Sequence, residues 1–129
     1  MSAFEDALRW ELSWLVRAGV PARAVRLTVR DCLVARFEIG PLSAREVSES
    51  VETTVRVACR LVVELDAPED LVETVGNAAL EAVRGHGGTS ARWISEAIDA
   101  ADAVLDELAR QRGGEATGVW VARWRRDRP

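Results

Sequence analysis

Apolar residues recur with the period of an α-helix along most of the chain, and the pattern is cleanest between Ser43 and Asp66. Apolar side chains recur there at steps of three and four, in a stripe about 80° wide: Val47, Val51, Val55, Ala58, Val62 and Leu65. Ser43, followed three residues later by Glu46, forms a capping-box motif. The stretch is predicted to be one long amphipathic helix at the centre of the fold. Its narrow stripe predicts a seam for one or two neighbouring helices.

Three further segments have apolar stripes with the same period: Ser2–Ala18, Ala67–Arg84 and Ser90–Arg112. Gly19 would end the first of them. Asp66 is a candidate N-cap for the second, and Pro68 suits the first turn of that helix because its missing N–H costs nothing there. The face of the Ala67–Arg84 segment consists of small residues, which would permit close approach by a neighbouring helix.

The segment Ala22–Glu38 fits two periods. As a helix it has a broad apolar side that includes Val25 and Val29, but Arg36 then falls within that side. As two strands, its apolar residues alternate with arginines. No tight turn separates the two runs, and an isolated two-stranded ribbon is marginally stable in water. Both interpretations stay open from the local pattern, and we choose the helix because every other segment is helical.

Together these elements predict an all-α, up-and-down antiparallel bundle of four to five helices over residues 1–112, with an irregular C-terminal tail over residues 113–129. Length is consistent with one domain, since the chain has 129 residues and 48% of them are hydrophobic. No apolar run is long enough for a membrane span, and the N-terminus has acids where a signal peptide would have basic residues. The expectation is therefore a cytoplasmic protein without membrane contact.

The chemistry-bearing residues add little to this picture. All 17 basic residues are arginines, a bias that GC-rich bacterial genomes produce, so arginine alone does not indicate nucleic-acid binding. Cys32 and Cys59 lack the spacing of a metal site and are expected to be free thiols. The single histidine, His86, lies in a glycine-rich linker without nearby metal-type partners. No metal and no cofactor is predicted.

Charge is distributed unevenly along the chain. Residues 43–110 contain 14 acids against 6 arginines, whereas residues 111–129 contain 5 arginines against 2 acids. The tail combines tryptophan with arginine, residue types that stack on bases, contact phosphates or anchor protein partners. Its candidate partner-binding residues are Trp120, Trp124, Arg123, Arg125, Arg126 and Arg128.

Two sets of residues near the N-terminus are further candidates. Trp10 and Trp14 lie at the margin of the first helical stripe, and the chain has more tryptophan edge than one small core readily hides. They are predicted to contact a partner or a second copy. Glu11 falls within the apolar sector of the same helix, and Arg36 within that of the next, so a buried Glu11–Arg36 ion pair is possible if Glu11 does not simply reach water.

Three functional hypotheses follow. The favoured one is a non-enzymatic interaction or scaffold protein that forms a homo-oligomer, most simply a dimer, and uses the tail for self or partner contacts. Removing residues 113–129 should then leave the fold intact and abolish association. The second is a nucleic-acid-binding accessory protein that acts through the basic tail, against which the acidic body argues. The third is a ligand-binding or catalytic bundle built on Glu11 and Arg36.

Overall fold

A computed structural model describes residues 3–39, 43–68, 70–85 and 91–112 of the chain, and these residues form five α-helices. The helices are α1 (Ala3–Ala18), α2 (Ala22–Glu38), α3 (Ala44–Glu64), α4 (Asp70–Gly85) and α5 (Ala91–Arg112). No strand occurs in this part of the chain. The predicted all-α helical bundle is therefore confirmed. No described helix is both long and apolar enough to cross a membrane.

Packing between the helices produces two layers. α3 packs against α1, α4 and α5, whereas α4 packs against α2, α3 and α5, so these two helices form the centre. α1 packs on α2 and α3 at one end of the bundle. The contacts thus place α1, α3 and α5 in one layer and α2 and α4 in the other.

Two ion pairs show the direction of α1 relative to α3. The Arg60 guanidinium donates to Glu5 at 3.2 Å, and the Arg9 guanidinium donates to Glu64 at 2.6 Å. Both pairs join residues that are 55 positions apart, so the register advances in the same sense along both helices. α1 and α3 therefore run parallel, as alternate helices of an up-and-down bundle do.

Ala22–Glu38 is one helix, which settles the ambiguity of its sequence. Val25, Val29, Leu33 and Phe37 are buried at intervals of four residues, and Leu27 and Val34 on the other side are exposed. Strand alternation would have placed Val25, Leu27 and Val29 on one face. As a helix, the segment buries its apolar stripe against α1 and α4. This removes more apolar surface from water than an isolated two-stranded ribbon could, so the segment adopts the helical period.

The start of α3 is as predicted. The Ser43 hydroxyl accepts a hydrogen bond from the Glu46 N–H at 3.2 Å, and the Glu46 carboxylate accepts one from the Ser43 N–H at 3.3 Å. This reciprocal pair is a complete capping box, and it satisfies two backbone donors that the first turn would otherwise leave without partners.

The prediction that α3 would be a seam for one or two neighbours is wrong. Its buried side also includes Ser50, Thr54, Val57, Cys59 and Leu61, and it contacts helices of both layers. The Thr54 hydroxyl donates to the Ser50 carbonyl at 2.7 Å, and the Ser50 hydroxyl donates to the Glu46 carbonyl at 2.9 Å. Because these hydroxyls bond within their own helix, they can be buried without partners from another helix.

α4 begins three residues later than predicted. Asp66 has a φ of 52°, which is left-handed backbone and not the extended conformation of an N-cap. The Ala67 side chain is buried in the core, and the Leu71 N–H donates to the Pro68 carbonyl at 3.0 Å in the turn that leads into the helix. The chain therefore turns and packs between α3 and α4 before the helical period resumes.

Candidate interaction surface

The outer face of α1 carries the two largest exposed apolar side chains of the described structure, Trp10 and Trp14. Leu8 and Leu12 are fully buried and define the inner side of this helix. At about 100° per residue, Asp6, Trp10, Trp14 and Arg17 fall within a sector about 80° wide that is centred opposite those leucines. We call these four residues the outer face of α1.

Two tryptophans dominate this face. Trp10 is 71% exposed and Trp14 is 60% exposed, four residues apart, so that their indoles lie on adjacent turns. Ser13 and Arg17 complete a shallow cleft of about 210 Å³ beside them. The sequence prediction that these tryptophans are not absorbed by the core agrees with their exposure, and their role in partner binding stays a prediction.

Charges on α1 separate into two groups. Glu5 and Arg9 lie on the α3 side, where each pairs with a residue of that helix. Asp6 and Arg17 lie on the outer face, are exposed, and take part in no ion pair within 4.0 Å among residues 3–39, 43–68, 70–85 and 91–112. The outer face thus carries one acid near its N-terminal end and one base near its C-terminal end.

A second concavity lies between α3 and α5. This open groove of about 250 Å³ has Cys59, Val63 and Val104 at its floor and rim, together with charged side chains: Arg56, Arg60, Glu64 and Glu107. Arg56 contacts Glu52 at 2.8 Å and Glu107 at 3.8 Å, and Arg60 contacts Glu5 at 3.2 Å. Because the guanidinium groups are already matched by carboxylates, the groove offers no concentrated charge to an ionic ligand.

The polar face of α3 is consequently not left to water along its whole length. Arg45 and Glu49 pair within the helix, but Arg56 and Arg60 reach across to α5 and α1. These ion pairs are partly exposed, so each contributes little stability by itself. The inter-helix pairs show the register at which α3 lies beside α5 and α1.

The structure does not bring Glu11 and Arg36 together. Glu11 is exposed and Arg36 is half-buried, and within the described part of the chain no ion pair or hydrogen bond includes either residue. Of the two possibilities that the sequence left open for Glu11, the structure has the carboxylate exposed at the rim of the α1 stripe, toward α2, and not paired internally with Arg36.

Glu11 instead affects the pKa of the Cys32 thiol. Burial raises the pKa of the half-buried Cys32 thiol above its usual value, and the negative charges of Glu11 and Asp31 raise it further. All three effects disfavour the thiolate, which is the nucleophilic form. Both cysteines are free thiols, as predicted, and the raised pKa of Cys32 lowers its thiolate fraction.

No group of three or more His, Cys, Asp or Glu side chains that could hold a metal occurs among the described residues. The acids of α5 are not gathered into a site: Asp99 and Asp106 are exposed, and Glu107 approaches Arg56. His86 lies outside the described residues.

The tail residues also lie outside the described part of the chain: Trp120, Trp124, Arg123, Arg125, Arg126 and Arg128. Their predicted role in partner binding stays a prediction. Of the partner-binding residues that the sequence suggested, Trp10 and Trp14 are the two whose surroundings the structure describes.

Comparison with known protein families gives no match, and neither the curated proteins nor the solved structures include a significant match to this chain. Function must therefore be argued from the surface itself.

Sequence reasoning missed Asp6 and Arg17 as members of this surface. Nothing in the local sequence pattern marks either residue as more than a charged position on a helix. They are identified by their angle on the helical wheel, since they fall in the same sector as the two tryptophans. This position is informative only once α1 is known to pack on its neighbours with the opposite side.

Proposed function

We propose that this protein is a non-enzymatic helical interaction protein, and that it binds protein through the outer face of α1. The observation that carries the proposal is the exposure of Trp10 and Trp14 on adjacent turns of a helix at the end of the bundle. Tryptophan is among the residues that most often dominate the binding energy of protein interfaces.

The magnitude of the exposed surface supports this function. A tryptophan side chain buries about 150–250 Å² when it is covered completely, so covering the exposed fractions of both residues removes roughly 250 Å² from water. At about 25 cal/mol per Å², the gross gain is about 6 kcal/mol before the costs of association are subtracted. This is a substantial contribution for two side chains that the core of the bundle does not use.

The α3 side of the same helix gives a useful contrast. There, the charged residues of α1 are matched by residues of the bundle, and Leu8 and Leu12 are completely covered. On the outer face neither the apolar side chains nor the two charges are matched within the described structure. The surface therefore has the composition of an interface centre with a polar rim.

The C-terminal tail is a second candidate element of the same function, on the strength of its tryptophan and arginine content. The nucleic-acid and ligand-binding alternatives gain no support from a contact among the described residues. An interaction protein that contacts its partner through α1 is accordingly the function that we put to the test.

Photo-crosslinking from α1 tests the proposal. A photoreactive phenylalanine analogue replaces the exposed Ala7, which lies one turn from Trp10, in the full-length chain within the cells that naturally contain it. The matched control carries the same group at Arg45, which is highly exposed on α3. We expect light-dependent adducts with protein from position 7 that are lost when Trp10→Ser and Trp14→Ser are added, and few adducts from position 45.

Equal labelling from the two positions would overturn the proposed function. So would adducts from position 7 that persist unchanged after both tryptophans have been replaced. Circular dichroism of each variant establishes that the helices are retained.

A further inference from the structure

We infer that the partner of the outer face of α1 is a second copy of this chain, and that the two α1 helices pack antiparallel across a twofold axis near residue 12. The inference rests on the proposed function and specifies its partner. It is drawn from the order of charged and apolar residues along the outer face, which is complementary to itself when one copy is reversed.

The geometry follows from the helical rise. Trp10 and Trp14 are symmetric about residue 12, and Asp6 and Arg17 are symmetric about a point half a residue away. In an antiparallel pair with its axis there, Trp10 of one copy lies opposite Trp14 of the other. Asp6 of each copy then lies within one residue of the level of Arg17 in its partner, about 16 Å along the helix from its own Arg17.

This arrangement matches every feature of the face at once. Two tryptophan pairs stack at the centre, and one Asp6–Arg17 ion pair forms at each end. Asp6 and Arg17 are exposed and have no ion-pair partner in the described structure, so no existing contact must be broken. A closed twofold interface of this kind is the commonest arrangement of homo-oligomers.

Other occupants fit less well. Parallel packing of two copies would set Asp6 against Asp6 and Arg17 against Arg17, which is repulsive. The tail of the same chain has four arginines between residues 123 and 128, and on this face they would meet Arg17 as well as Asp6. A second copy in the antiparallel register satisfies both charges.

The interface is small. One helix face with two tryptophans covers less than the roughly 800 Å² per partner of a standard stable interface, so the dimer is expected to be weak and reversible, with a dissociation constant of about 1–100 µM. Concentration-dependent sedimentation of the full-length chain measures association in this range.

Charge reversal provides the decisive experiment. Sedimentation is measured for the full-length wild type, Asp6→Arg, Arg17→Asp, the double variant, and an equimolar mixture of the two single variants. Each single reversal places like charges opposite one another at both ends and should weaken the dimer about tenfold. The double variant and the mixture both restore opposite charges, and each should recover the wild-type affinity to within about threefold.

The mixture is the most informative sample because it contains only the two single variants whose homodimers are weakened. Any effect of the substitutions on α1 itself is therefore the same in the mixture and in the separate variants. Arg45→Asp is the matched control: it changes the net charge as much as Arg17→Asp does, at an exposed position away from α1, and should leave association unchanged. Circular dichroism verifies that each variant keeps its helices.

Several results would overturn the inference. One is a wild-type chain that stays monomeric up to about 1 mM, a concentration well above the expected range. Another is a dimer that is indifferent to both single reversals, or singles that weaken without recovery in the mixture. If position 7 nevertheless crosslinks to a different protein in cells, the second-copy inference fails while the proposed function stands.

Deleting residues 113–129 distinguishes self-association through the tail from self-association through α1. The hypothesis of a binding tail predicts that this deletion abolishes association, whereas the α1 interface predicts that the shortened chain dimerises like the wild type, since no residue of the proposed interface is removed. Loss of the dimer on deletion, together with insensitivity to the Asp6 and Arg17 reversals, would assign self-association to the tail and overturn the inference.

Discussion

Truncating Leu12 to alanine should cost much more stability than truncating Trp14, although both lie on α1 and tryptophan is much the larger side chain. The reason is orientation. Leu12 is 0% exposed on the inner side of the helix, whereas most of the Trp14 side chain lies in water. The comparison therefore tests which side of α1 faces the bundle, the observation on which the interaction surface depends.

The expected loss for Leu12→Ala follows from the burial of its side chain. Replacing a fully buried leucine removes its transfer free energy and leaves a cavity, and such changes lower the free energy of unfolding by about 2–5 kcal/mol. α1 lies at the end of the bundle and, among the described helices, packs mainly on α2 and α3, so the site can partly relax. We expect about 3 kcal/mol, which is a large share of the 5–15 kcal/mol typical of a domain.

For Trp14→Ala the expected loss is about 1 kcal/mol or less. Little of the indole is removed from water by folding, and alanine has the higher helix propensity by about 0.5 kcal/mol, which offsets part of the lost packing. Trp10→Ala should behave in the same way, because Trp10 is even more exposed.

Urea unfolding followed by circular dichroism measures both values at a protein concentration of about 0.2 µM, which lies below the expected dissociation constant, so that the dimer does not contribute to the measured stability. With a slope of about 2 kcal/mol per M, Leu12→Ala should lower the unfolding midpoint by about 1.5 M and Trp14→Ala by less than about 0.5 M. Equal losses, or a larger loss for Trp14→Ala, would mean that α1 faces the bundle with its tryptophans, and the proposed interaction surface would have to be abandoned.

Three further outcomes follow from the contacts of the bundle. Ser43→Ala should lower the free energy of unfolding by about 1 kcal/mol in the same urea experiment, because it removes the side-chain half of the capping box, and an unchanged midpoint would refute that role. A double-mutant cycle on Arg9 and Glu64 should give a coupling of about 0.5 kcal/mol that largely disappears in about 1 M salt, since both side chains are partly exposed; a coupling that survives salt would contradict this. Alkylation of Cys32 at pH 8, followed by peptide mass spectrometry, should be faster in Glu11→Gln than in the wild type. Burial and the charges of Glu11 and Asp31 raise the pKa of the thiol, so they reduce its thiolate fraction at that pH. Removing one of these charges lowers the pKa again and increases the thiolate fraction. An unchanged rate would show that Glu11 does not act on Cys32.

Much of the secondary structure could be predicted from local patterns. The capping box at Ser43 and the stripes of α1, α3 and α5 placed those helices within a few residues of their observed bounds, because period and caps are properties of short segments. α4 was predicted less well. Its start depends on the left-handed conformation of Asp66 and the burial of Ala67, which result from how the connection packs.

The candidate surface was only partly predictable. Trp10 and Trp14 stood out because they lie at the margin of an apolar stripe. The sequence left open whether Glu11 pairs with Arg36 or reaches water, and it did not mark Asp6 and Arg17, for one geometric reason. A helical wheel gives relative angles within one helix, but not the side of each helix that its neighbours cover.

The sequence by itself determined that the described chain folds as amphipathic helices, where most of them begin and end, and which residues are apolar enough to form a core. Only the tertiary structure decided that α3 is buried on a wide side, that Ala22–Glu38 is a helix, and that the tryptophans of α1 point away from the bundle. The physical reason is that helix formation is encoded in spacings of three and four residues. The orientation of a helix is instead chosen by the total apolar surface that all five helices bury together.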